Sequence, residues 1–172
     1  MDTTTATITE PNASRCLTPG ERQLAESVFG PALDCTRVRL HRAKYWGLQP
    51  AWIVMAPDGD LWFHPNGRDW SEDFSAESLP TRAFFVHELT HVWQHQCGCN
   101  LIRQRGLMAR YDYVLEPDKP FAAYGIEQQA EILRHAYELR EGYKRPGLSP
   151  LATYAALIPF GAWGIAADAE RA

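Results

Sequence analysis

Residues 81–98 read TRAFFVHELTHVWQHQCG, and two histidines four apart inside them, His87 and His91, set the frame for the rest of the chain. At about 100° per residue their imidazoles lie about 40° apart on one helix face. So placed, they can chelate one zinc ion through nitrogen. Glu88 falls about 100° round from His87, beside the metal rather than on it. There it can take a proton from a zinc-activated water and pass it to a leaving group. Phe85, Leu89, Val92 and Trp93 lie about 140° to 240° away and predict a helix anchored in the core by its opposite face. That helix is expected from about Pro80 to Cys97, with Gly98 as its stop.

A catalytic zinc needs three protein ligands and an open position. His95 sits about 80° round from His87 and about 12 Å further along the axis, beyond the reach of the same ion on a regular helix. It is read as lining the cleft or supporting a ligand from behind. The HExxHxxGxxH arrangement also fails, because Gln94 stands where the glycine belongs and Cys97 where the third histidine belongs. The later stretch YGIEQQAEILRHAYE, residues 124–138, serves better. Glu127 and Glu131 share a face there, with Tyr124 and His135 a turn away on either side. Ile126, Ala130 and Leu133 make it a core-forming helix, on which a bare carboxylate is costly to bury. A zinc held by two histidines supplies the missing cation. Glu127 is therefore assigned as third ligand, and Glu131 as acceptor of a ligating imidazole's free N–H. This second helix is expected from Phe121 or Tyr124 to Arg140 or Glu141, ended by Gly142.

Outward from these two helices, LTPGERQLAESVFGP (17–31) carries a helix signature. Thr18 is the N-cap, Pro19 the first helical residue, Glu21 closes a capping box, and Gly30-Pro31 ends the run. Leu24, Val28 and Phe29 form its buried stripe. TRVRLHRA (36–43) alternates as a half-exposed strand does, and AWIVM and DLWFH around APDG read as a hairpin over 51–64. Residues 100–120 show no clear period and hold Tyr111 and Tyr113. LATYAALIPFGAWGIAA (151–167) is broken by Pro159, Gly161 and Gly164, so it reads as a buried helix and a packed extended piece rather than a membrane span. The layout is α+β: a small antiparallel sheet or hairpin, the HELTH helix, then the helix carrying the glutamate ligand. Residues 1–15 are expected to be a disordered leader, and 16–172 a single domain.

Composition narrows the function further. A net charge of −4 offers no basic excess to neutralise phosphates, so no nucleic-acid partner is expected. MDTTTATITEPNASR lacks the basic and apolar regions of a signal peptide, so export would require a dedicated machine. Four cysteines, irregularly spaced, do not make a disulfide framework. Cys97 and Cys99, with no second pair, read as reduced thiols near a helix end.

HExxH on one helix followed by ExxxE on a later one resembles the gluzincin metallopeptidases. The chain is more similar still to small bacterial proteins described as Vgr-related or Rhs-associated, from type VI secretion and polymorphic-toxin neighbourhoods. The resemblance runs in order through residues 17–41, APDGDLWFHP, residues 73–98, GIEQQAEIL and ALIPFG. It implies a zincin-like fold, zinc on His87, His91 and Glu127, and Glu88 as general base. Where the family often has Asp, this chain has Glu131, one methylene longer. Tyr124 is the first candidate for steadying the oxyanion, ahead of Tyr111, Tyr113 and His135. The implied activity is zinc-dependent cleavage of an amide bond in a protein or a peptidoglycan peptide. A secretion-system component or an immunity protein would be its partner. The alternative is a non-catalytic zinc protein, structural or adaptor, within a secretion complex.

Overall fold

A computed structural model describes residues 8–105, 110–161 and 163. Its elements in chain order are β1 (Ser14–Cys16), α1 (Pro19–Phe29), β2 (Arg39–His41), β3 (Leu61–Trp62), α2 (Leu79–Gln96), α3 (Leu101–Arg105), α4 (Ile126–Arg140) and α5 (Leu151–Leu157). The fold is α+β, with α2 and α4 packed together at its centre.

The sheet differs from the expected antiparallel one. β2 pairs antiparallel with β1 but parallel with β3, with Leu40 opposite Leu61. Residues 42–60 are long enough for the crossover a parallel pair requires. The hairpin expected over 51–64 shrinks to one antiparallel bridge, Met55 with Trp62. Gln49 explains the loss. Its buried side chain donates to Ile53 O and Trp62 O and accepts from Tyr45 N, supplying bonds a strand ladder would otherwise make.

β1 begins inside the stretch expected as leader. Residues 1–7 of that leader, and 106–109, 162 and 164–172 of the expected domain, lie outside the described residues. Thr9 is buried, with its N–H and hydroxyl both on Glu72. The polar residues of β1 concealed it because its partners are backbone groups of β2 and one acidic side chain.

That side chain is Glu21. The capping box at the start of α1 forms as expected, with Thr18 Oγ1 accepting from Glu21 N and Glu21 Oε2 accepting from Thr18 N. The same carboxylate, 0% exposed, takes two 2.7 Å bonds from Arg15 and one from Phe74 N. It joins β1, α1 and the turn before α2.

α2 runs within a residue of its expected bounds and ends where Gly98 takes φ 87°. Phe85 on its inner face stacks on Phe74 at 4.5 Å, and Phe74 on Phe63 at 5.3 Å, linking α2 to the sheet. α4 begins later than expected. Phe121–Ala123 form a separate 3-10 turn, and Gln128 accepts from Gly125 N just before the helix. Glu127 consequently sits in the first turn of α4, where the helix dipole favours its negative charge. The tail folds back as a short helix and extended piece: Tyr154 is buried, and Phe160 packs on Phe29 and Trp93. Gly161, at φ 76°, lies so close to Val28 O that a β-carbon there would collide with it. Among the described residues, no helix is long and apolar enough to cross a membrane.

Glu21→Ala removes the buried carboxylate that Arg15, Thr18 N and Phe74 N share, so it is expected to cost about 3–5 kcal/mol of stability. Urea unfolding measures this, and a loss below about 1 kcal/mol would contradict the role given to Glu21.

Candidate metal centre

α2 and α4 bring four of the expected site residues to one place. His87, Glu88, His91 and Glu127 are each less than a tenth exposed and line one cavity of about 200 Å3. Val54, Met55, Leu101, Ile126 and Tyr111 are among its other walls. Glu127 Oε2 lies 3.4 Å from His87 Nε2 and 3.2 Å from His91 Nε2. One ligand atom from each of the three residues falls within 4.8 Å of the others. Two atoms each about 2.1 Å from a tetrahedral zinc stand about 3.4 Å apart, so both contacts have a spacing that suits the ion. Two imidazole nitrogens and a carboxylate oxygen also form a donor set suited to zinc. The residues fit the metal that the sequence implied.

Glu131, one turn along from Glu127, sets an oxygen 2.9 Å from His87 Nδ1. The approach is close but misaligned, leaving that nitrogen without a well-formed hydrogen bond, so the contact is chiefly electrostatic. On the other histidine, His91 Nδ1 lies 2.9 Å from Gln94 Oε1. Gln94 was missed as a site residue. Its signal was its position three residues after His91, on the same helix face.

Other expectations are redistributed. Tyr124 does not reach the metal cavity: its hydroxyl donates to Val114 O and accepts from Glu116 N. The late start of α4 sets Tyr124 outside the helix, so the helical spacing that placed it beside Glu127 does not apply. Tyr113 and His135 bond each other at 2.6 Å, and Arg145 meets the second nitrogen of His135 at 2.7 Å. Among the four oxyanion candidates, only Tyr111 lines the cavity, its ring 6.2 Å from that of His87. His95 packs against Gly59 in the APDG turn rather than lining the cleft. Cys97 and Cys99 line a larger cavity of about 1280 Å3, together with Trp93, Phe121 and Tyr124. None of the three ligand candidates lines that space, so size does not locate the chemistry here.

The buried charges oppose their own desolvation. Burial would push His87 down, but its contacts with Glu127 and Glu131 outweigh burial and hold it up at about 9. Burial would raise Glu127, yet His87 and His91 hold it well below the ordinary carboxylate range. Burial acts likewise on Glu131, which the contact with His87 brings down to about 2.

No family model matches the chain. It is similar to the type VI secretion system spike protein VgrG2b of Pseudomonas aeruginosa, at 43% identity over 130 residues. That match spans 71% of this chain but 13% of the spike protein's length. It is also similar to the solved structure of the effector domain of Pseudomonas aeruginosa VgrG2b. There the TM-score is 0.69 at 35% identity, over 88% of this chain and 82% of that domain.

The raised His87 value has a consequence for the metal-free protein. Its stabilising contribution is complete below the unfolded value of about 6.5 and is lost as pH climbs through about 9. Glu131 contributes above about 4.5 and loses its share as pH falls through about 2. Thermal melts of chelator-treated protein should therefore show a lower Tm at pH 10 than at pH 6.5, and His87→Gln should flatten that difference. A Tm that rises over this interval would contradict the charge arrangement.

Proposed function

Because the chain belongs to the family of the VgrG2b effector domain, we propose that it is a type VI secretion effector acting as a gluzincin-like zinc metallopeptidase. The observation that carries this reading is the convergence of His87 Nε2, His91 Nε2 and Glu127 Oε2 on one point, beside a cavity that also holds Glu88. His87, His91 and Glu127 would hold the zinc. When bound, zinc lowers the pKa of a water and polarises a carbonyl.

The chain's own residues do the rest. Glu88, buried at the cavity wall, accepts the proton of the attacking water and returns it to the leaving nitrogen. Glu131 draws the hydrogen of His87 to Nδ1, leaving Nε2 for the metal. Tyr111, on the cavity wall, takes the place expected of Tyr124 and donates to the developing oxyanion. Val54, Met55, Leu101 and Ile126 keep bulk water from the reacting atoms. The substrate is an amide bond in a protein or a peptidoglycan peptide. In this reading the chain reaches that substrate through a secretion apparatus, and an immunity protein would guard the cell that makes it.

A non-catalytic zinc protein would close its metal with four protein ligands. Three donors gathered beside a cavity favour catalysis over that alternative.

Glu88→Gln keeps the ligands and removes the base. It is expected to bind zinc as the wild type does and to lose about 10²- to 10⁴-fold in hydrolysis. Zinc content by elemental analysis and cleavage of casein and of isolated stem peptides measure both halves. Full activity in that variant would exclude the mechanism.

A further inference from the structure

Gln94, one turn beyond His91 on α2, is wholly buried, and a buried amide requires partners at both ends. Its Nε2 lies 2.9 Å from the carbonyl oxygen of Ile126 and 2.9 Å from Gln129 Oε1. Gln129 in turn sets its Nε2 3.3 Å from Phe121 O and 2.9 Å from Tyr124 O. Backbone carbonyls only accept, so the end of each amide that meets them is its nitrogen. The end of Gln94 facing His91 Nδ1 at 2.9 Å is then an oxygen, and also only accepts. His91 must therefore carry a hydrogen on Nδ1. Its Nε2 points at Glu127 Oε2, 3.2 Å away, an approach that needs a proton or a metal ion between the two atoms.

We infer that Gln94 is a positioning residue for the metal centre. Its carbonyl fixes the tautomer and ring orientation of His91. Its amide ties that orientation to the backbone of Ile126, the neighbour of Glu127, and through Gln129 to the turn before α4. One side chain thus registers the ligands of α2 against the ligand of α4. The inference rests on the reading of His87, His91 and Glu127 as a zinc site.

Zinc affinity by chelator competition on the full chain tests it, with the visible spectrum of cobalt-substituted protein as a second readout. Gln94→Met keeps the side chain's length and removes both ends of the amide. It is expected to weaken zinc binding about 10- to 100-fold and to shift the cobalt bands. Gln129→Met acts through Gln94, so the double variant should bind zinc no more weakly than Gln94→Met alone. Wild-type affinity and spectrum in Gln94→Met would overturn the inference. If Gln94→Met does not fold, Gln129→Met decides: weakened zinc and shifted bands support the relay, and unchanged values overturn it. A wild-type chain that takes up no zinc, or keeps it after His87→Ala, defeats the metal-site reading instead, and the two failures are told apart.

Discussion

Two buried imidazoles, the buried carboxylate of Glu127 and the largely covered one of Glu131, at the contact of α2 and α4, are the constraint on which the rest depends. A carboxylate taken from water without a cation is strongly unfavourable, and Glu127 and Glu131 both lie in that contact. His87 offsets the cost by carrying a proton, and the proposed metal ion would do so in its place. Each helix therefore supplies what the other cannot bury alone. The late start of α4 adds to this, because it sets Glu127 in the first turn, at the positive end of the helix dipole.

The opposite faces of these helices hold the charged seam in register. Phe85 points away from His87 into a stack with Phe74 and Phe63, which fixes α2 on the sheet. Glu21 ties the turn holding Phe74 back to α1 and β1. Behind α4, Tyr154 on α5 is buried and bonded to the hydroxyl of Tyr113. The apolar layer limits sliding of the helices, and the polar seam limits their rotation. A metal site needs both, since its ligand atoms must agree to within a few tenths of an ångström.

What the chain's letters disclosed was whatever depends on regular spacing within one element. His87, Glu88, His91, Glu127 and Glu131 were legible because helical angles fix their relative directions, and all five meet at the cavity or touch a residue that does. The capping box of α1 was legible for the same reason. The misses involve partners distant in sequence or lying in the backbone. Tyr124 was placed by a helical spacing that ends two residues short of it. The mixed sheet depends on Gln49 bonding across a loop, which no alternation of apolar residues reveals. Gln94 looked like a flaw in another metal motif, and its role becomes visible only once Ile126 and Gln129 are seen beside it.

The central claim is that one metal ion is shared by His87, His91 and Glu127. X-ray absorption at the zinc edge of zinc-loaded protein tests it most directly. The account predicts one zinc per chain in a nitrogen and oxygen shell at about 2.0–2.2 Å, with two imidazoles and no sulfur. A scatterer at about 2.3 Å would move the metal to Cys97 and Cys99 and contradict the site described.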